Sequence, residues 1–387
     1  MLSTFFLILL MLPYVSFGGY ALPDFLNTIL DILKFFSIFF AFFFYLKQKK
    51  YSPIVIIIAL YQLLLLASTI LNHGQVYEQF KLLLTIVSIC MIFDIGIRKN
   101  PTKFFRVISF FFCGISLLCI ITMFIYYPHG MFVDIKFDNN YYLLGQDNAS
   151  FFDILPSIAY LGIYEILKKN KITFKVLIYT FIVFIGFMYV NSTTALVCLI
   201  FILLFELTSK LKFWNKILSY RNIFIFSIVA FVLLMFVGVS NISFLVYFVQ
   251  EKLGKSLTLT GRTIIWQKAL FYISKSPFFG YGFEDTILLI KKFNINHVHN
   301  IVLQILYNGG IIGTCLFFMI NYETSKKMKK YKNTIMFKLI LFLIFIFFIA
   351  AQFDYYNRRI LIYTLFVIGY NIMYLMEEKV NENKKIN

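Results

Sequence analysis

Two histidines close together in the sequence are the residues best suited to do chemistry. His297 and His299 lie in the run His297-Val298-His299-Asn300, where a polar stretch meets a long apolar segment. An imidazole titrates near neutrality, so it can take a proton from an alcohol and act as a general base. The same side chains would also suit a membrane surface, where they would contact only water or lipid headgroups. A zinc site is not expected, because no cysteine or carboxylate nearby in the sequence completes a tetrahedral set.

Arg262 could bind an anion at the start of a helix. It follows Gly261 and precedes Trp266, and the next residues form an amphipathic pattern with Lys268 on the polar side. This pattern predicts a helix that lies on a membrane surface, with Trp266 at the interface. The unpaired N–H groups at the helix N-terminus and the guanidinium of Arg262 would suit a pyrophosphate. The alternative is an arginine that only extends to lipid phosphates.

The composition requires lipid as the solvent for most of the chain. Of the 387 residues, 60% are hydrophobic and only 14% are charged, which is too few to cover a water-soluble surface. The formal net charge of +18 would suggest a nucleic-acid partner in a soluble protein, but here the positive charges cluster between apolar segments. We therefore predict a single polytopic transmembrane domain over residues 1–376, a polar cytoplasmic tail over 377–387, and no nucleic-acid partner.

Apolar segments long enough to cross a bilayer must position the candidate residues. A spanning helix needs about 20 mostly apolar residues, because the hydrocarbon core is about 30 Å thick and a helix rises about 1.5 Å per residue. The first apolar segment lacks the features of a cleaved signal peptide and is expected to remain as a helix. The predicted helices are 3–20, 28–46, 53–71, 79–97, 104–127, 150–167, 173–190, 193–209, 222–240, 299–320, 335–353 and 359–376.

Positive charges in alternate loops predict the orientation of these helices. Lysine and arginine cluster in five loops, which are expected to be cytoplasmic, whereas short loops such as 18–27 and 72–78 contain neither residue. Both termini are then cytoplasmic. The segment 241–298 falls on the outer face although it is basic, since loops of about 60 residues translocate largely regardless of charge. This long outer loop carries Arg262 and leads directly to His299.

The order of these residues resembles the O-antigen ligase and Wzy-type O-antigen polymerase superfamily. Gly261, Arg262 and Trp266 fit its element Gly-Arg-x-x-x-Trp. An element Pro-x-x-Gly-x-Gly follows, and then His-Asn, nine residues, and two glycines in the spacing Gly-x-x-Gly. The residues that fit these later elements are Pro277, Gly280, Gly282, His299, Asn300, Gly310 and Gly313.

The resemblance implies an inverting membrane glycosyltransferase that needs neither a metal nor a cofactor. The implied fold is an all-α, GT-C-like membrane protein with about 12 transmembrane helices and one long, partly helical extracytoplasmic loop. His299 would be the general base, and Arg262 would bind the pyrophosphate of an undecaprenyl-linked oligosaccharide. Gly310 and Gly313 would let their helix pack closely. Further contacts to the substrate are expected from Asn300, His297, Trp266, Lys268, Arg358 and Arg359.

One element of the family pattern is missing. The family often has an arginine in a Ser-Arg-x-Ala element at the start of a middle helix, and this chain has Thr193 at that position. Threonine carries no charge, so we expect Arg358 or Arg359, in the last outer loop, to replace the arginine. The absence favours a polymerase over a ligase, because the polymerases vary more in this element.

The leading prediction is a polymerase that joins lipid-linked repeat units of an O-antigen, capsule or exopolysaccharide outside the cytoplasmic membrane, with a chain-length regulator as a further partner. A ligase that transfers the finished glycan to lipid A core would use the same donor. A flippase is the alternative from another class, but it should carry ionisable residues within its helices, whereas the helix centres here are nearly free of charge. A glycosyltransferase with an acidic base would have only Asp24 in its first outer loop.

Overall fold

The computed structural model describes residues 3–17, 21–134, 139–190, 192–236, 259–295, 297–352 and 359–377. Within these residues the chain is a mainly helical, multi-pass membrane protein. It also contains two short 3-10 turns, at Leu12–Tyr14 and Lys329–Tyr331. The helices in chain order are α1 (Thr4–Met11), α2 (Asp24–Leu46), α3 (Pro53–Leu71), α4 (Val76–Lys99), α5 (Pro101–Ile125), α6 (Asp147–Lys169), α7 (Phe174–Met188), α8 (Thr193–Thr208), α9 (Phe213–Ile217), α10 (Tyr220–Phe236), α11 (Leu259–Lys275), α12 (Thr286–Phe293), α13 (Ile301–Met328), α14 (Ile335–Ala350) and α15 (Ile360–Tyr370).

The lengths of these helices decide how far the predicted spans agree with the structure. Six of the described helices are long and apolar enough to cross a bilayer, namely α2, α3, α4, α5, α6 and α13. Six shorter apolar helices occupy the other predicted segments. Since a span needs about 17–25 residues, the helix positions agree with the prediction, but the count of about twelve spans is not confirmed. The predicted helix over 222–240 extends past residue 236, so its end lies outside the described residues.

A small antiparallel sheet between α5 and α6 departs from the predicted all-α fold. Strand β1 (Phe132–Asp134) pairs with β2 (Asn139–Tyr142), and β2 pairs with β3 (Gly145–Gln146). Strands of two to four residues are too short to show an alternating apolar and polar pattern. The sheet lies in a loop that the topology assigns to the outer face, and β2 contacts both flanking helices.

Helix α15 lies at the centre of the bundle. Every residue from Leu361 to Gly369 is buried, and α15 contacts α3, α4, α6, α13 and α14. A helix that is apolar on all sides suits such a position. In contrast, α2 exposes an aromatic face that includes Phe35 and Phe39, as expected for a helix in contact with lipid. Arg359 immediately precedes α15 and is therefore held at the N-terminal end of the central helix.

The described part of the long outer loop has a hydrophobic core of its own. Helices α11 and α12 lie within the segment 241–298, and residues 237–258 are outside the described residues. Side chains from both helices pack against the histidine run and the first turns of α13. The buried members of this cluster are Trp266, Ala269, Leu289, Phe293, Val298, Leu303 and Tyr307. The described part of this loop is therefore a packed structure that is attached to α13.

The helices carry more ionisable residues than the sequence pattern indicates. Lys34 lies near the middle of α2, and Glu206 is buried near the end of α8. Asp94 is fully buried in α4, where it pairs with Arg98 at 3.2 Å and accepts a hydrogen bond from Asn371 at 2.8 Å. Of these three residues only Lys34 lies near the centre of its helix, so it is an exception to the prediction that helix centres are nearly free of charge and does not overturn it.

Candidate functional site

A large cavity opens at the end of the bundle that the topology assigns to the outer face. Its volume is about 850 Å³. Its walls come from the turn after α1, the middle parts of α2 and α5, the starts of α4, α6 and α15, and the loop helix α12. These segments are far apart in the sequence, and the cavity extends from the predicted outer face towards the middle of α2 and α5. The charged side chains and the histidine that line the cavity are Asp31, Lys34, Glu78, Lys81, Asp153, His297 and Arg359.

Ion pairs neutralise part of the charge in this cavity. Lys81 Nζ lies 2.7 Å from Glu78 Oε1 in an exposed pair. Arg359 Nη1 donates to both carboxylate oxygens of Asp153, at 2.9 and 2.6 Å, in a largely buried pair. Within the described residues, no carboxylate lies within ion-pair distance of the Lys34 ammonium. An anion that enters the cavity would therefore meet a Lys34 ammonium that makes no direct ion pair, although the Asp31 carboxylate in the same cavity acts on it electrostatically.

Only one nitrogen of the Arg359 guanidinium is used by the carboxylate. Nη1 makes both hydrogen bonds to Asp153, so Nε and Nη2 keep donors for another anion. Asp153 fixes the orientation of the guanidinium at the same time, because it holds one end of a planar group. The ion pair thus holds the Arg359 guanidinium in place beside the cavity and leaves N–H donors for a ligand.

The backbone of Val298 is held on both sides, which sets the position of the two histidines. Its N–H donates to Gln304 Oε1 at 3.0 Å, and its carbonyl accepts from Trp266 Nε1 at 3.0 Å. Val298 and Trp266 are both fully buried. The rings of the flanking His297 and His299 lie 4.0 Å apart between centroids. Because His297 lines the cavity, this contact brings the His299 ring close to its wall.

The backbone of His299 adopts a conformation that few non-glycine residues tolerate. Its φ is 50°, in the left-handed region. The next residue, Asn300, supplies part of the structure that holds this conformation. Its side-chain oxygen accepts from the N–H groups of Val302 and Leu303 at 3.0 and 3.2 Å, and its amide nitrogen donates to Gln352 Oε1 at 3.0 Å. Asn300 therefore caps α13 and connects the backbone next to His299 to the chain after α14. Strained backbone conformations such as that of His299 are concentrated at functional sites.

A break in α13 joins this helix to the long loop. Gly310 has φ 58° and ψ −159°, a combination essentially restricted to glycine, and it interrupts the helix. The N–H groups after the break donate to the loop: Ile311 to the carbonyl of Pro277 at 2.7 Å, and Ile312 to that of Phe278 at 3.2 Å. Gly310 also allows a close approach, since a Cβ there would lie 2.4 Å from the Phe278 carbonyl carbon, and in addition it redirects the helix backbone.

The glycines of the Pro-x-x-Gly-x-Gly element complete this joint. Gly280 and Gly282 have φ of 66° and 65°, and the N–H of Gly282 donates to the carbonyl of Asn308 at 2.8 Å. A Cβ on Gly280 would lie 2.5 Å from the carbonyl oxygen of Tyr307, a separation that side chains do not adopt. Gly313, in contrast, packs closely: a Cβ there would meet a Leu64 methyl group at 3.3 Å.

Lys292 joins helix α12 to the chain before it and to α13. Its Nζ donates to Glu284 Oε1 at 2.6 Å and to the Tyr307 hydroxyl at 3.0 Å, and it lies 4.1 Å from the ring centroid of Tyr281. The Tyr307 hydroxyl also donates to Glu284. Burial, with the nearby Glu284 carboxylate, raises the pKa of the Tyr281 hydroxyl, so this ring remains a neutral partner for the lysine. Lys292 therefore stabilises the loop.

The predicted site residues do not all reach the cavity. Arg262 is half-buried in the first turn of α11. Neither Arg262 nor Lys268 is among the described residues that line the cavity. The prediction that Trp266 lies at the membrane interface is wrong, because its side chain is fully buried. Asn300 is also fully buried. Trp266 and Asn300 therefore position the histidine run instead of facing the cavity, and Arg358 lies outside the described residues.

Sequence reasoning missed several residues that build the site. Lys34 could have been found, since a lysine within an apolar helix is costly in lipid and marks a functional position by default. The same rule applies to Asp153 near the start of α6. Gln304 had no such signal, because its bond to the histidine run depends on how the run folds back over the first turn of α13.

Comparison with known families identifies what the central part of the chain is similar to. Residues 178–318 match the profile of the family Wzy_C, described as O-Antigen ligase. The matched stretch includes Arg262, the histidine run and the glycine elements, so the resemblance to the O-antigen ligase and polymerase superfamily is confirmed. None of the curated proteins compared with the chain matches it.

Proposed function

From this family match, we propose that the chain is a membrane glycosyltransferase that joins undecaprenyl-pyrophosphate-linked oligosaccharide repeat units into a polysaccharide. The product is an O-antigen, capsule or exopolysaccharide chain, formed on the outer face of the cytoplasmic membrane. Donor and acceptor are both lipid-linked, and the reaction needs no metal or cofactor. The observation that carries the proposal is one cavity lined by cations and by His297, whose ring lies 4.0 Å from that of His299 between centroids.

The transfer needs a base for the acceptor and stabilisation of the leaving group. A hydroxyl of the acceptor sugar attacks the anomeric carbon of the donor, the bond from that carbon to the diphosphate oxygen breaks, and the configuration inverts. His299 takes the hydroxyl proton, because a sugar hydroxyl is a weak nucleophile until its proton has an acceptor. Fixed cations stabilise the charge that develops on the departing diphosphate.

Three cationic groups support the binding of the diphosphate. Lys34 offers an ammonium without an ion-pair partner among the described residues, and Arg359 offers the free edge of a fork that Asp153 orients. Arg262 does not line the cavity, but it is proposed as a third cation from the first turn of α11, where the helix dipole also favours an anion. Arg359 is our candidate for the arginine that Thr193 replaces.

The size of the cavity supports an oligosaccharide substrate. Ligand pockets typically have volumes of about 300–1,000 Å³, so a cavity of about 850 Å³ is near the upper end of that range. The middle of α2 and the first half of α4 also offer it apolar lining from Phe35, Ile38 and Leu82. A substrate with a charged diphosphate and an apolar lipid chain fits a cavity of this mixed character.

The family match also favours a second candidate, since the matched family is described as O-Antigen ligase. A ligase would use the same lipid-linked donor and the same base. It would differ in its acceptor, which would be lipid A core instead of a second lipid-linked repeat unit. The Thr193 position favours the polymerase, and the family description favours the ligase.

Reconstitution of the full chain in vesicles separates these functions. With lipid-linked repeat units alone, a polymerase produces a ladder of products, whereas a ligase gives no product until lipid A core is added. His299→Ala and Arg262→Ala should abolish the product in either case while the protein still inserts into the membrane. The matched control is His129→Ala, an exposed histidine outside the cavity, which should react at the normal rate. A normal product ladder from both His299→Ala and Arg262→Ala would refute the site assignment.

A further inference from the structure

A second pocket opens at the opposite end of the bundle, where three of the predicted cytoplasmic loops meet. The first cavity is lined by the start of α6, and this second pocket is lined by the turn that follows the end of α6. Its other walls come from the end of α8 and the start of α14, and its volume is about 450 Å³. The residues that give it chemical character are Lys171, Thr173, Glu206, Lys210 and Lys338.

The pocket contains a buried carboxylate with an unused oxygen. Glu206 is only 7% exposed; its Oε1 accepts from the Thr180 hydroxyl at 2.8 Å, but Oε2 has no hydrogen-bond partner within the described residues. The hydroxyl of Thr173, in a residue also 7% exposed, has none there either. A buried carboxylate is normally paired with a cation or fully hydrogen-bonded. The described residues supply no ion-pair partner to Glu206.

The same pocket contains lysines that could hold an anion. Lys338 is 6% exposed, and its ammonium donates to the carbonyl of Ser209 at 3.2 Å, which uses one of its three donors. Lys171 and Lys210 are exposed at the mouth of the pocket. A ligand that satisfies all these groups must carry a cationic donor for the buried carboxylate and an anionic acceptor for the lysines.

We propose that this pocket binds the zwitterionic headgroup of a phospholipid whose amine is primary, taken from the leaflet on the side of the basic loops. The ammonium of the headgroup donates to Glu206 Oε2 and to the Thr173 hydroxyl, and its phosphate accepts from Lys338 and from the two lysines at the mouth. A quaternary amine cannot replace the primary one, because it has no N–H to donate. A headgroup without an amine would leave Glu206 without a partner.

The test measures which lipid the full chain retains. The protein is extracted in mild detergent, mixed with vesicles of phosphatidylethanolamine, phosphatidylcholine or phosphatidylglycerol, and the bound lipid is counted by native mass spectrometry. We expect phosphatidylethanolamine to be retained about tenfold more strongly than phosphatidylcholine, because charge-assisted hydrogen bonds are worth this much or more. Equal retention of these two lipids by the wild-type protein would overturn the proposal.

Two variants assign the two ends of the headgroup. Glu206→Gln should remove the preference for the ethanolamine headgroup, and Lys338→Met should weaken retention of phosphatidylethanolamine and phosphatidylglycerol alike. Thr173→Val is a milder change that should reduce the same preference as Glu206→Gln, so the test remains decisive if that variant folds poorly. The matched control is Lys212→Met, an exposed lysine on the same face outside the pocket, with unchanged retention. Preferential binding of phosphatidylglycerol that Glu206→Gln leaves unchanged would show a site for anions alone and contradict the proposal.

Discussion

The indole nitrogen of Trp266 donates a hydrogen bond to the carbonyl of Val298, the residue between the two histidines, at 3.0 Å. The bond fastens the histidine run to α11, the helix that also carries Arg262. Trp266→Phe keeps an aromatic ring but leaves the buried carbonyl without its donor, which costs about 1–3 kcal/mol. We expect this variant to insert normally and to form polymer about tenfold more slowly, measured as the initial rate of product formation in vesicles.

The other tryptophan of the chain provides the control for this prediction. Trp214 Nε1 donates to the Thr208 hydroxyl at 3.0 Å, at the end of the bundle away from the cavity. Trp214→Phe removes a comparable hydrogen bond, so it should leave the rate unchanged. Equal rates for both variants would mean that the position of the histidine run does not depend on the Trp266 bond.

The backbone joint at Gly310 should be intolerant of any side chain. A Cβ there would lie 2.4 Å from the carbonyl carbon of Phe278, and the backbone conformation of Gly310, with φ 58° and ψ −159°, costs an L-residue about 1–3 kcal/mol. Gly310→Ala should therefore reduce the yield of folded protein in the membrane. Gly114→Ala is the matched control, since a Cβ on Gly114 would meet nothing within 4 Å. The yield is measured by size-exclusion chromatography in detergent, and a normal yield of Gly310→Ala would contradict the joint.

The helix positions were predictable because their signal is local, whereas the burial of Trp266 was not. An amphipathic helix has the same sequence pattern whether its apolar face meets lipid or protein. In α11 the structure buries Trp266 against Val298 and leaves Ile264 58% exposed, so the side of the helix that meets protein differs from the predicted one. The pattern of α11 alone does not indicate which partner covers which residue.

The candidate site shows the same division between local and distant information. The spacing of His299, Asn300 and Gly310 was visible in the sequence and led to the family whose profile residues 178–318 match. The contact between Asp153 and Arg359 was not visible, because the two residues are brought together only when α6 packs beside the start of α15. Lys34 was not predicted, because it lies within an apolar helix and the lysines considered were those of loops and of the amphipathic segment after Arg262.

Removing only Arg359 from its ion pair with Asp153 should destabilise the protein more than removing both residues. Arg359→Ala leaves a carboxylate, whose side chain is 11% exposed, without its partner, and the loss of one member of a buried ion pair costs about 3–5 kcal/mol. The double variant Asp153→Ala, Arg359→Ala removes both charges and should recover part of that stability. The midpoint of thermal unfolding in detergent measures both effects.

Activity separates the two roles of Arg359. If it binds the diphosphate, the double variant should recover stability but not polymer formation. A double variant that is less stable than Arg359→Ala would contradict the ion-pair argument, and one that regains full activity would remove Arg359 from the proposed substrate contacts.

Lys34 should affect donor binding more than any lysine outside the cavity. It lines the cavity from α2 and has no ion-pair partner within the described part of the chain, so its charge is available to the diphosphate. Lys34→Met keeps an unbranched side chain of similar length and removes the charge. A hydrogen bond to a charged group is worth about 1.5–3 kcal/mol, so the KM for the lipid-linked donor should rise about tenfold or more. Lys47→Met, after the C-terminal end of α2, is the control and should leave KM unchanged.

The dependence of KM on salt provides a second test of Lys34. Because salt screens charges, raising the ionic strength should raise the wild-type KM and affect the KM of Lys34→Met less. An equal response of the two proteins would exclude Lys34 as a diphosphate contact.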